Sequence, residues 1–211
     1  MSGNKFLLGG LLIAALLGGL WLASQQQKGT QLRYLQEYPQ PRALPEFSLR
    51  NQHDQAFGNA DLLGHWTLTF VGYTYCPDIC PTTLAELNGI YPQLQQLPAD
   101  SPLQVLFISV DPKRDSVARL NEYVSYFNQD FIAATAGHDV LFPLVRAMGM
   151  MYGISESTEN DDYLVDHSAS IVVINPQGQV IGRFKPDNQP GKVAIASGQQ
   201  ILADMPVLLA R

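Results

Sequence analysis

The stretch LQVLFISV, residues 103–110, is apolar throughout except for Gln104 and Ser109. Such a run suits a strand buried on both faces, and a sheet covered on both faces needs helices above and below it. The neighbouring patterns supply them. HWTLTFVGYTY, residues 65–75, reads as a second strand, rich in β-branched and aromatic residues, that stops at Cys76. After Pro81, apolar residues recur every three or four positions at Leu84, Leu87, Ile90, Leu94 and Leu97. That spacing marks a helix with a proline in its opening turn, where the missing N–H costs least. Further helices are expected over 116–128, 140–152 and 191–209. SIVVINPQGQVIGRF, residues 170–184, gives two strands joined by a turn at 175–178, and EFSLRN with the run after HDQAF gives a leading hairpin. The order β-α-β-α followed by β-β-α defines an α/β fold around a central mixed sheet, with an N-terminal β-hairpin extension.

The 211 residues divide unevenly. FLLGGLLIAALLGGLWLA, residues 6–23, carries no charge, and at the helical rise it spans roughly 27 Å, close to the thickness of a bilayer core. The alternatives are a single N-terminal transmembrane helix and a signal peptide. An apolar signal region is usually shorter, and Trp21 and Leu22 stand where a cleavage site wants small residues, so a retained anchor is the reading. The stub at 1–5 is expected to stay inside. Residues 24–45 are polar, Gln-rich and punctuated by proline, which reads as a tether, and the folded domain is placed at 46–211. Of the 13 basic residues, Lys5 and Lys28 precede Gly29, which leaves 11 against all 19 acidic ones beyond it. Nucleic acid is therefore excluded as a natural partner.

Cys76 and Cys80 are the only two cysteines, and three residues separate them. A structural disulfide is one reading, but closing so short a loop removes little chain entropy. A strand-to-helix junction instead favours anions, because unpaired N–H groups and the helix dipole stabilise a thiolate there. Residues four apart on an incipient helix share a face and are spaced for either a disulfide or two thiolates on one ion. Pro77 and Pro81 stiffen the loop. A structural zinc would need two histidines besides. His53 lies in a polar turn, His65 at a strand entry and His138 ahead of a helix, all ordinary settings. His167 differs: it stands in LVDHSASIVV, just before a strongly apolar strand, and residues 156–166 ahead of it hold five acids and no base. Two thiolates and one imidazole make a soft three-coordinate site that suits copper better than zinc.

FVGYTYCPDICPTTL, ISVDPKRD and DYLVDHSASIVVINPQGQVIGRF, in that order, resemble the Sco/SenC family of membrane-anchored, thioredoxin-like copper proteins that assist cytochrome c oxidase assembly. The resemblance covers nearly everything after Pro45. It implies a thioredoxin-like fold, copper as Cu(I) or Cu(II) held by Cys76, Cys80 and His167, and a loop bearing that histidine that faces the cysteine loop. Tyr75 stands where many of the family have histidine, and VDHSAS has no proline where thioredoxin-type reductases keep one. The implied receiver is the dinuclear copper centre of cytochrome c oxidase subunit II. The other implied partner is a thioredoxin-like reductant or another copper chaperone. The soluble domain is expected on the periplasmic face of the inner membrane. Cys76 and Cys80 also form a redox-active pair: as a disulfide they cannot hold copper, so loading follows reduction. The alternative function is a thiol-disulfide oxidoreductase that reduces cysteines of subunit II or of another exported protein. A peroxide-reducing enzyme has a similar plan, but Arg50 and Arg114 give no reason to prefer it.

Overall fold

A computed structural model describes residues 16–19, 31–154, 158 and 162–210. Within it, eight strands form one twisted mixed sheet: β1 (Gln36–Ala43), β2 (Ser48–Asn51), β3 (Ala56–Gly58), β4 (Trp66–Gly72), β5 (Leu103–Ser109), β6 (Ile132–Thr135), β9 (Ile171–Ile174) and β10 (Gln179–Phe184). Two short strands, β7 (Tyr152–Ile154) and β8 (Val165–His167), pair separately. The helices are α1 (Ile79–Gln95), α2 (Val117–Phe127), α3 (His138–Ala147) and α4 (Gly198–Leu209). The sheet runs β1-β10-β9-β4-β5-β6-β2-β3, with β4, β5 and β6 parallel and β9 and β10 antiparallel to their neighbours.

Strand periodicity explains why both faces are dry. Leu68 and Phe70 of β4, Val105 and Phe107 of β5 and Val173 of β9 join one core, which α1, α2 and α4 cover through Leu84, Leu87, Leu120, Val124, Ile201 and Met205. The alternate residues Val71, Leu106, Ile108, Val172 and Ile174 join the other, under α3 and the β2–β3 hairpin. The two periodicities, two along a strand and about 3.6 along a helix, therefore interlock as a three-layer α/β domain of thioredoxin-like form.

Three boundaries differ from the sequence reading. The polar tether expected through residue 45 contributes β1, which pairs with β10 across a bulge between Glu37 and Arg42. The helix expected over 140–152 stops at Ala147, because Gly149 takes φ +77 and turns the chain into β7. The last helix begins at Gly198 rather than at 191, after a loop closed by a bridge between Asp187 and Ile195. The apolar run at 6–23 lies outside the described residues apart from 16–19. No helix among the described residues is long and apolar enough to cross a membrane.

The start of the domain is tied down by one buried carboxylate. Asp204 of α4 accepts the backbone N–H groups of Arg33 at 2.9 Å, Tyr34 at 2.7 Å and Leu35 at 2.7 Å. Asp204→Ala strands three donors that only partly regain water, so the expected loss is about 2 kcal/mol, or roughly 4–8 °C in Tm by thermal denaturation. An unchanged Tm would mean that this contact carries no stability.

Candidate metal centre

Cys76 and Cys80 sit just past the end of β4, the central strand, as the chain turns into α1. Cys80 is the second residue of the helix and fully buried, whereas Cys76 lies before it and is half-buried. His167 ends β8, which the β7 pairing Tyr152↔His167 holds beside them. The structure brings all three sequence-predicted residues together: one ligand atom from each lies within 4.8 Å of the others. His167 Nε2 is 3.5 Å from Cys80 Sγ and 3.8 Å from Cys76 Sγ. The three atoms form a small triangle of two sulfurs and one nitrogen into which a single soft ion fits.

The imidazole is set for ligation. Its Nδ1 lies 3.4 Å from the Ser168 carbonyl oxygen, which can only accept, and its Nε2 faces the two sulfurs. Tyr73 packs edge-on against the ring, with centroids 5.9 Å apart at 84°. His53 and His138 are exposed, and His65 bonds the Leu63 carbonyl oxygen. His138 Nδ1 meets the Tyr152 hydroxyl at 2.9 Å. None of these three joins the cluster among the described residues. Of the acids ahead of His167, Asp162 and Asp166 are exposed. Glu156, Glu159 and Asp161 lie outside the described residues.

The sulfurs are unequal. The hydrogen bond from Cys80 pulls the Cys76 thiol down to about 3 against the opposing effect of burial, with help from His167 and nearby backbone N–H groups. The same bond, followed by deep burial, pushes the Cys80 thiol up. Between acid and neutral pH the reduced pair therefore holds one proton between two sulfurs, with the charge at the accessible one. Because the Cys76 pKa is lowered, its thiolate is already fully formed at pH 5. Alkylation by iodoacetamide, read by peptide mass spectrometry, is expected at Cys76 first, at a rate nearly constant from pH 5 to 8. An ordinary thiol would speed up about tenfold per pH unit. A tenfold-per-unit rise at Cys76 would contradict this charge assignment.

Three features escaped the sequence reading. Gly72 lets the strand end pass close to the thiol: a Cβ there would lie 2.3 Å from Cys80 Sγ and 3.0 Å from Phe107 Cε2. Two acids of ISVDPKRD are buried beside the site. Asp111 accepts from Arg114 Nε at 2.5 Å and from the Tyr163 hydroxyl at 2.6 Å. Arg114 in turn stacks over the rings of Tyr163 at 3.6 Å and Tyr75 at 4.9 Å. Asp115 holds Thr74, two residues before Cys76. A groove of about 800 Å³ lined by Tyr38, Trp66, Asn175 and Leu209 lies at the opposite end of β4 from the cysteines, and takes no part in this chemistry.

A thioredoxin-like domain that presents two thiols and an imidazole beyond its central strand carries a group that could hold a metal ion. The family profile of SCO1/SenC matches residues 36–201, and the chain belongs to that family. The mitochondrial Protein SCO2 homolog of Bos taurus is 35% identical over 170 residues, 79% of this chain and 64% of the bovine protein, so the chain spans just under two thirds of that relative. Among solved structures, Arabidopsis thaliana ScoI with copper bound is 28% identical with a TM-score of 0.65, covering 80% of this chain and 98% of that one. Bradyrhizobium japonicum ScoI with copper bound is 27% identical with a TM-score of 0.63, covering 77% of this chain and 97% of that one.

Proposed function

We propose that the protein is a membrane-tethered copper chaperone. Cys76, Cys80 and His167 bind one copper ion and pass it to the dinuclear copper centre of cytochrome c oxidase subunit II on the periplasmic side of the inner membrane. The observation that carries the reading is the triangle of two sulfurs and one imidazole nitrogen within 4.8 Å. Its softness favours Cu(I), and the imidazole allows Cu(II) as well. The copper-bound structures of the Arabidopsis and Bradyrhizobium relatives support the same cargo.

Copper enters as cargo, and the residues supply its hold and its release. The Cys76 thiolate, half-buried, meets the incoming ion first. Cys80 then gives up its proton as its sulfur binds, and His167 Nε2 closes the third position. Exchange with an incoming disulfide joins the two sulfurs to each other while the incoming pair leaves as two thiols, after which neither sulfur is a thiolate ligand. An incoming dithiol restores the site by exchange: its two sulfurs become a disulfide as Cys76 and Cys80 return to thiols. Loading thus follows reduction.

The test is transfer. The copper-loaded domain is mixed with the reduced, copper-free soluble domain of subunit II, and the absorption of the dinuclear centre is followed. Growth of that absorption with matching loss of copper from the donor is expected. If copper stays on the donor, delivery to this acceptor is wrong. A second reading, thiol-disulfide exchange as the main activity, is favoured by the accessible, low-pKa Cys76 above a buried partner, the arrangement a reductase uses. It predicts that the copper-free reduced protein reduces an oxidised subunit II while His167→Ala retains the activity.

A further inference from the structure

We propose that Asp115 is a positioning residue that sets the separation of Cys76, Cys80 and His167 without touching any of them. Asp115 is 1% exposed and follows β5 by six positions. Its carboxylate accepts the Thr74 backbone N–H at 2.9 Å, the Thr74 hydroxyl at 2.7 Å and the Ser109 hydroxyl at 2.6 Å. Ser109 is the last residue of β5, and its own carbonyl oxygen accepts the Thr135 hydroxyl at the end of β6. Arg119 Nε donates to the same Thr74 hydroxyl at 3.1 Å, from the first turn of α2. One buried carboxylate therefore clamps the peptide that leaves β4 onto the end of the neighbouring strand β5, whose last residue is bonded in turn to the end of β6.

The position of that peptide decides the site. Thr74 lies between Tyr73, whose ring sits against His167, and Cys76, whose backbone N–H donates to the Tyr73 carbonyl oxygen at 3.2 Å. Cys80 is held by the helix and by its contact with Gly72, and its sulfur also meets the Tyr73 backbone next to Thr74. With the clamp in place, the Cys76 sulfur and the face that orients the imidazole are fixed relative to the Cys80 sulfur. Without it, the Thr74–Cys76 segment is free to shift, and soft-metal geometry tolerates only a few tenths of an ångström. Three charge-assisted bonds to one buried carboxylate are a stiff restraint of the kind that holds a site in productive geometry.

The experiment compares Asp115→Asn, Thr74→Val and Thr74→Ser with the wild type. The Asn side chain has nearly the same shape but turns one acceptor into a donor facing the Thr74 and Ser109 donors. Valine removes the Thr74 hydroxyl, and serine keeps it. The readout without metal is the ratio of alkylation rates at Cys80 and Cys76. The readouts with metal are the thiolate-to-Cu(II) absorption band and the Cu(I) affinity. The metal readouts rest on the copper reading, whereas the alkylation ratio does not, so the two failures are distinguishable.

Asp115→Asn and Thr74→Val are expected to raise the Cys80:Cys76 ratio at least tenfold, to shift the absorption band, and to lower Cu(I) affinity at least tenfold. Thr74→Ser is expected to match the wild type in all three. Folded Asp115→Asn and Thr74→Val proteins with the wild-type ratio and band would overturn the proposal. If Asp115→Asn does not fold, the Thr74→Val and Thr74→Ser pair decides the question. If wild type binds no copper, the copper reading falls and the alkylation ratio alone decides the positioning role.

Discussion

Replacing His167 by alanine lowers the Cu(I) affinity of the reduced protein by about 100-fold or more, about 2.7 kcal/mol, while His138→Ala leaves it within about twofold. The difference comes from placement. His167 Nε2 stands 3.5 Å from Cys80 Sγ and 3.8 Å from Cys76 Sγ with its other nitrogen held at the Ser168 carbonyl, so the ring is preorganised as the third ligand. His138 Nδ1 is engaged with the Tyr152 hydroxyl at the start of α3 and takes no part in the cluster. A competition titration against a chromophoric chelator measures both variants. Equal losses would remove His167 from the ligand set and leave two thiolates as the whole site.

Gly72→Ala is expected to abolish tight copper binding with the three ligands still present. The added Cβ would sit 2.3 Å from Cys80 Sγ and 3.0 Å from Phe107 Cε2 in a fully packed interior. Ordinary contact is about 3.5–4.0 Å, so the sulfur must move by more than an ångström. That exceeds the tolerance of a metal site several times over, and Cu(I) affinity is expected to fall about 100-fold or more. The strain of overpacking adds a stability loss of about 1–3 kcal/mol, seen as a drop of several degrees in Tm. A folded variant with undiminished affinity would mean that Cys80 binds from another position than the one beside Gly72.

What the sequence makes legible follows from burial. The central strands show themselves because their buried faces favour apolar and β-branched residues at most positions, and β4, β5 and β9 fall where those runs lie. The cysteines and His167 stand out for the same reason: each polar group abuts an apolar strand where a bland reading explains little. β1 is hidden because it is an edge strand. It pairs on one side only, is exposed at nearly every position and contains Pro39 and Pro41, so it shows no alternation. Asp111 and Asp115 are hidden differently. DPKRD is also what a solvated turn looks like, and only the fold reveals that these two carboxylates face inward to Tyr163, Thr74 and Ser109. Gly72 is ambiguous in the same way, since a glycine inside a strand pattern shows close approach without saying to what.

The reduced pair with His167 is expected to form a copper site that the disulfide abolishes. An anaerobic Cu(I) titration of the soluble domain in both redox states, against a chelator of known affinity, tests it most directly. One-to-one binding by the reduced form, tight enough to strip the chelator, with no competition from the oxidised form, is the predicted result. Weak binding by the reduced form, or equal binding by both forms, would contradict it and leave Cys76 and Cys80 as a redox pair alone.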